Sequence, residues 1–367
     1  MRAESGLVHA LCFVVAVKLV LLAYIPIARA VTHDDATAGL AELLGYWLRW
    51  DAPHYLELAE HGYTNQGERG LFIVFLPLYP WVVRVVAWLV GDFHYAALLV
   101  STAASLTLGW VLYRVTEREL GAEVAGRTVL LMFVFPTSYV LHIAYTESLF
   151  IALAVGSMYA ARQGRWKTAG LLGMGAALTR VNGAILFPVL LLEAWLQRRE
   201  GGSPLRRVWP VLLVPGGVLI YLCVNYAVYG DPLQFLQIQR EHWHKQLAPP
   251  WQGLWSAFKT IGHHEAWSAQ MLGVQEVSFA ALAIAATLAS ARWLRATYTL
   301  WMAANTLLFV STGFLQSVPR YCLTLFPMMM LAARACRSTP AWTLLVVASS
   351  LLLALFSYQF SLGRWAF

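Results

Sequence analysis

The chain has 367 residues, 59% of them hydrophobic and only 12% charged, with a formal net charge of +7 and a mean hydropathy of +0.59. A soluble globular protein carries about 25% charged residues, so this composition excludes a soluble fold. The basic residues lie in short connections between apolar runs, a membrane-topology signal that speaks against nucleic-acid binding.

The apolar runs read, in chain order, as 7–28, 95–114, 127–139, 145–161, 168–178, 183–197, 208–229, 276–291, 296–313, 321–336 and 341–360. Backbone groups in lipid must be satisfied within the segment, so these runs are predicted helices. The alternation of a membrane β-barrel is absent. The expected architecture is an all-α polytopic membrane protein with about eleven transmembrane helices. The first run follows MRAES and is longer than a signal-peptide core, so a retained helix is expected. The runs 127–139, 145–161 and 168–178 are short, and the prolines and polar residues beside them predict broken or partly re-entrant helices. Cys12, Cys223, Cys322 and Cys336 form no CxxC pair and read as small buried apolar residues.

Basic clusters occur at Arg114/Arg118/Arg127, Arg162/Arg165/Lys167, Arg198/Arg199/Arg206/Arg207, Arg292/Arg295 and Arg334/Arg337. They fall at every second connection, which places all five on the cytoplasmic face. The segment 30–70 has an acidic excess, with Asp34, Asp35, Glu42, Asp51, Glu57, Glu60 and Glu68 against Arg49 and Arg69. It reads as the outer face. Parity then makes 71–90 a helix at the outer interface, kinked by Pro77 and Pro80. The alternative is that 71–90 crosses and the N-terminus lies outside. The chain is treated as one membrane domain, 1–367, with outer elaborations at 30–90 and 230–275. No N-x-[ST] sequon occurs, which favours a bacterial source.

Four polar clusters share the outer side, each where an apolar helix ends or breaks. They are WDAPHYLELAEHGY (50–63), FPTSYVLHIAYTES (135–148), LTRVNG (178–183) and LQSVPRY (315–321). Ionisable groups at such depth are costly and point to a functional site. Each has a plain alternative. Asp51 can cap the helix that Gly62 ends, Glu147 can pair with Arg180 as a structural bridge, and Arg320 can snorkel to lipid phosphate. The loop 230–275 holds REHWHKQ and GHHEAW. His242, His244, His263, His264 and Glu265 lack metal-ligand spacing, and with Trp243, Trp251, Trp255 and Trp267 they read as an interfacial aromatic belt. Neither a metal nor a cofactor is expected. Gly170, Gly173 and Gly175 predict close helix packing.

The pieces WDAPHYLELAEHGY, FLPLYP, FPTSYVLHIAYTESLF, LTRVNG and SVPRY occur in the order found in the PIG-V family, and from about 46 to 330 the chain resembles that family. It comprises the second mannosyltransferase of GPI-anchor assembly and bacterial relatives. The resemblance implies a GT-C fold with juxtamembrane helices in the first outer loop. It also implies transfer of a hexose, mannose in the named family, from a polyprenyl-phosphate sugar to a lipid- or glycan-linked acceptor. Carried onto this chain, the loop acid is Asp51, with Asp34 and Asp35 as alternatives. Asp51 is expected to act as general base in an inverting displacement, with Arg320 and Arg180 holding the donor phosphate. Trp50, His54, Tyr55, Glu147, Asn182 and Gln316 are expected to contact sugar or acceptor, or to orient Asp51. The expected setting is a bacterial cytoplasmic membrane with the site facing the periplasm. The other readings are a transferase of another prenyl-linked sugar on the same fold, a polytopic transporter, and a non-enzymatic assembly subunit.

Overall fold

The computed structural model describes residues 2–33, 40–200, 207–263 and 267–366. The described residues are helical with a single isolated β-bridge, Leu247 to Thr312. The order begins α1 (Arg2–His33), α2 (Leu40–Gly45), α3 (Asp51–His61), α4 (Leu78–Val90), α5 (Phe93–Leu120), α6 (Ala122–Val134), α7 (Glu147–Arg162) and α8 (Trp166–Thr179). It continues with α9 (Leu186–Leu196), α10 (Leu213–Tyr229), α11 (Gln234–Glu241), α12 (Pro250–His263) and α13 (Trp267–Trp293). The last four are α14 (Ala296–Val310), α15 (Val318–Tyr321), α16 (Pro327–Ala335) and α17 (Thr339–Ser361).

Five of the described helical stretches are long and apolar enough to cross a bilayer: Glu4–Thr32, Phe93–Leu120, Trp209–Tyr229, Met271–Trp293 and Thr339–Ser361. The other expected runs are shorter. Helices α6, α7, α8, α9 and α14 have 13, 16, 14, 11 and 15 residues. At 1.5 Å per residue these are short of a hydrocarbon core about 30 Å thick. The run 321–336 is broken outright by non-helical Leu325 before α16. The stretch 71–90 is also two pieces, a 3-10 helix over Glu68–Val74 and α4, bent by 114°. The loop 230–275 is more ordered than expected. It contains α11 and α12, and α13 begins at Trp267 rather than near 276.

Between α6 and α7 the chain leaves helical geometry over 135–146, except for a 3-10 turn at Ser138–Leu141. All of that stretch is buried in protein, the one setting in which irregular backbone is tolerated at membrane depth. Side chains from elsewhere satisfy it. Lys18 of α1 donates to the His142 carbonyl, and the Ser105 hydroxyl donates to the Leu141 carbonyl. Lys18 also bonds the Thr102 hydroxyl.

Small residues set the spacing of the inner helices. A Cβ on Gly170 would stand 2.0 Å from the Pro210 carbonyl oxygen, and one on Gly217 would stand 2.5 Å from that of Met174. Packing of this kind holds helices together where lipid offers no hydrophobic drive. Two cysteines depart from the sequence reading. Cys322 is buried, but Cys12 and Cys223 are exposed on the outer surfaces of α1 and α10, because an apolar run has an outward as well as an inward side.

Described members of the basic clusters meet at one end. Arg162 pairs with Glu119 at 2.7 Å and with Glu193 at 3.3 Å, and Arg295 reaches the same Glu193 at 2.8 Å. Arg127 donates to the Cys336 carbonyl, and Arg207 donates to that of Gln197. Helix α7 starts at Glu147 and ends at Arg162, so about 24 Å of helix separates this end from the polar cluster around Glu147. Helix α8 returns over a similar length to Arg180.

Candidate active site

Asp51 opens α3, and the chain enters that helix through Trp50 at φ 57°. The N-terminus of α3 has no side-chain cap, so the Asp51 carboxylate is not spent on capping. It accepts instead from Arg320 Nη1 at 2.7 Å. Three contacts fix α3 in place. Ala52, Tyr55 and Ala59 share its buried face. Gly62 at φ 81° ends it, and Arg84 Nε donates to the Ala59 carbonyl at 2.6 Å. The Tyr145 hydroxyl donates to the Arg49 carbonyl at 3.1 Å, which ties the first polar cluster to the second.

Arg320 lies on the single turn α15 and is itself buried. Its Nε stands 3.5 Å from Glu147. Glu147 is 1% exposed and also accepts from Arg180 Nη1 at 2.6 Å. Arg180 donates in addition to the Thr146 hydroxyl at 2.9 Å. Two carboxylates and two guanidinium groups, from four separate sequence clusters, thus form one chain: Asp51, Arg320, Glu147, Arg180. Glu147 sits in the first turn of α7, where the helix dipole also favours a negative charge. The snorkelling alternative for Arg320 is overturned, since its guanidinium points inward to carboxylates.

These groups border a cavity of about 1010 Å³. Trp50, His54, Tyr55, Asn182 and Gln316 line it, together with Asp51, Arg180 and Arg320. Glu147 is buried behind that lining, paired with Arg180 as the structural-bridge alternative describes. One oxygen, Oε1, meets both arginines. Asn182 also donates to Asn305 Oδ1 at 2.8 Å, a bond that anchors it to α14. Asp34, Asp35, His264 and Glu265 lie outside the described residues, as does the side chain of His263. Among the described residues no three His, Cys, Asp or Glu side chains stand together as a metal-ligand group.

Lys245 and Trp365 line the cavity without having been singled out in the sequence, and so does Trp243, which reads there as part of an aromatic belt. Lys245 Nζ donates to the Tyr321 hydroxyl at 2.9 Å, and Tyr321 carries the Arg180 and Arg320 guanidiniums at 5.7 and 5.6 Å from its ring centroid. Trp243 faces His54 and Phe75 edge-on, and Trp365 meets Trp50 edge-on at 4.8 Å. A backbone signal also marks the site. Among the described residues only Trp50, His244 and Ser317 have left-handed φ without being glycine. They precede Asp51, Lys245 and the turn bearing Arg320. Such torsions cost about 1–3 kcal/mol each and gather at functional sites.

Burial pushes the Asp51 carboxyl up, but Arg320, then Lys245 and Arg180, pull harder, so its pKa lies below 3.8 and it is ionised at neutral pH. Burial lowers the His54 imidazole, against the pull of Asp51 and Glu57, so His54 is neutral there. The arrangement offers an ionised carboxylate beside fixed guanidinium donors in an aromatic cleft, equipment for moving a proton next to a bound phosphate.

Comparison with known proteins agrees with the resemblance. The sequence profile of the dolichyl-phosphate-mannose-protein mannosyltransferase family matches residues 76–226. GPI alpha-1,6-mannosyltransferase 2 of Cricetulus griseus is 32% identical over 176 residues, 45% of this chain and 34% of that protein. The Rattus norvegicus protein of the same name is 34% identical over 158 residues, 41% and 32% of the two chains. The alignments thus span about a third of the length of these curated relatives. The crystal structure of ArnT from Cupriavidus metallidurans bound to undecaprenyl phosphate superposes with a TM-score of 0.52 at 19% identity, covering 93% of this chain and 63% of that one. The fold thus resembles that of ArnT, a GT-C protein.

Proposed function

We propose that this multi-pass membrane protein, which has the GT-C fold and GPI mannosyltransferase relatives, is a glycosyltransferase. It transfers a hexose, mannose by its relatives, from a polyprenyl-phosphate sugar to a hydroxyl of a lipid- or glycan-linked acceptor. The observation that carries this reading is the 2.7 Å contact of Asp51 with Arg320 at the wall of the large cavity. A carboxylate able to take a proton and a guanidinium able to hold a phosphate thus lie within one substrate's reach of each other.

In the proposed reaction the acceptor oxygen attacks the anomeric carbon from the side opposite the phosphate, and the new bond has inverted configuration. The acceptor proton passes to the Asp51 carboxylate. The bond from carbon to the phosphate oxygen breaks with its electron pair, leaving polyprenyl phosphate. A phosphate monoester has a second pKa of about 6, so it leaves as an anion without a proton donor. Arg320, Arg180 and Lys245 are the groups placed to hold that charge. Guanidinium planes match phosphate oxygens, and a lysine adds a point charge.

The apolar walls of the cavity suit the prenyl chain, and its aromatic rims at Trp50 and Trp243 suit sugar faces. The five basic clusters at the far end support a cavity that opens on the non-cytoplasmic side, by the positive-inside rule. Purified protein incubated with a panel of polyprenyl-phosphate sugars and lipid acceptors tests the proposal. Mass spectrometry should find a glycosylated acceptor and free polyprenyl phosphate. Intact donor under every combination would sink it.

A further inference from the structure

Glu276 is a buried carboxylate in the middle of the apolar helix α13, and the reaction proposed above does not use it. An acid in such a helix is costly and calls for a reason. Both of its oxygens are directed at one short stretch. Oε1 accepts from the Ser317 amide and Oε2 from the Val318 amide, each at 2.8 Å. These are the amides of the N-cap and of the first residue of α15, the single turn that carries Arg320.

A one-turn helix does not hold itself together, because nucleation fixes several torsions for one hydrogen bond. Its leading amides have no partner within the helix. Ser317 also sits at φ 63°, a torsion that persists only when its surroundings enforce it. Ser317 has no cap of its own, since its side chain makes no capping bond. The carboxylate from α13 supplies what the local sequence lacks. It accepts from two successive amides at once, one on each oxygen. Three residues on, Arg320 emerges at Asp51 and Glu147.

We infer that Glu276 is a positioning residue: a hook from α13 that fixes the Ser317–Val318 turn and thereby places the Arg320 guanidinium against Asp51. The inference rests on the function proposed above for its activity readout, and on amide protection for the hook itself.

A double-mutant cycle separates a positioning role from general support of the fold. Glu276→Ala removes both acceptors, and Glu276→Gln keeps one. In the otherwise unaltered protein Glu276→Ala should lower kcat/KM for the polyprenyl-phosphate sugar by about 100-fold, the scale of a misplacement of about 1 Å. Glu276→Gln should lose less. With Arg320 already replaced by Ala, Glu276→Ala should change the residual rate by less than about twofold, since coupled residues are non-additive. Any fall in melting temperature should be the same in both backgrounds. Equal loss of rate in both backgrounds, or no loss in either, overturns the inference. If the unaltered protein transfers no sugar, the proposed function fails by itself. Hydrogen exchange then decides the hook: faster exchange at Ser317 and Val318 in Glu276→Ala supports it, and unchanged protection overturns it.

Discussion

Arg320 and Asp51 stand 269 positions apart in sequence and 2.7 Å apart in space. The contact joins the first residue of α3 to a one-turn helix that follows α14, and it closes one side of the cavity. It also holds the acid ionised while occupying the cation that a donor phosphate would need.

Asp51→Asn removes the proposed base and keeps the shape. Transfer should fall by about 10²–10⁴-fold, the usual contribution of general base catalysis. Affinity for polyprenyl phosphate should stay within a few-fold of the unaltered protein, read from the fluorescence of Trp50 and Trp243 in the cavity wall. A turnover number unchanged in this variant would remove Asp51 from the chemistry.

The pH dependence follows from the same contact. Asp51 has a folded pKa below 3.8, so the stability it contributes is present above its unfolded pKa and is lost as pH falls through the depressed folded value. In the free enzyme the acid limb of kcat/KM should therefore lie below the ordinary carboxylate range. Bound phosphate shares Arg320, and the acid limb of kcat should then sit at higher pH than that of kcat/KM. Coincident limbs would show that phosphate does not engage Arg320.

Lys245→Met keeps the length of the side chain and deletes its charge. The KM for the polyprenyl-phosphate donor should rise about 10–100-fold, as expected for a lost hydrogen bond to a charged group worth about 1.5–3 kcal/mol. The KM for the acceptor should not move. A rise confined to the acceptor would place Lys245 on the other substrate.

Glu147→Ala leaves the buried Arg320 and the half-buried Arg180 without their shared partner. Removal of one member of a buried ion pair costs about 3–5 kcal/mol. Thermal unfolding in detergent should show a correspondingly lower midpoint, with Glu147→Gln intermediate. A midpoint equal to that of the unaltered protein would mean that Glu147 carries none of the site's architecture.

Gly170→Val tests the packing of α8. Its Cβ would meet the Pro210 carbonyl at 2.0 Å, a backbone atom that cannot rotate away. Overpacking of this kind costs about 1–3 kcal/mol. Gly126→Ala, where nothing lies within 4 Å, is the control and should leave the midpoint unchanged or slightly higher.

Much of the site was legible because charge in an apolar chain is conspicuous. Asp51, Glu147, Arg180 and Arg320 stand out at helix ends, and the structure brings all four together. The Glu147–Arg180 pair was legible as an alternative, but not the contacts of Arg320 with Asp51 and Glu147. Sequence cannot say that Glu147 faces the arginines from behind the wall, since that depends on the rotation of α7. Lys245 was hidden by its surroundings: REHWHKQ reads as part of an interfacial aromatic belt, whereas the chain beside the Leu247–Thr312 bridge lies along the cavity. Glu276 carried a signal that went unused. It is an acid at the edge of the predicted run 276–291, and reading that run as starting at 276 made it a boundary residue. Helix α13 begins nine residues earlier, which buries it. The exposed Cys12 and Cys223 teach the same lesson, because apolar composition does not say which side of a helix faces protein.

Trp50, His244 and Ser317 adopt a twist that glycine would accept without penalty. Replacing any of them with glycine would relax that twist and also free the chain to wander. A search for hardier versions of this protein that rewards heat tolerance alone would therefore meet opposing pressures at these three places. The gains it can keep lie elsewhere, in loops and lipid-facing turns far from the sugar's path.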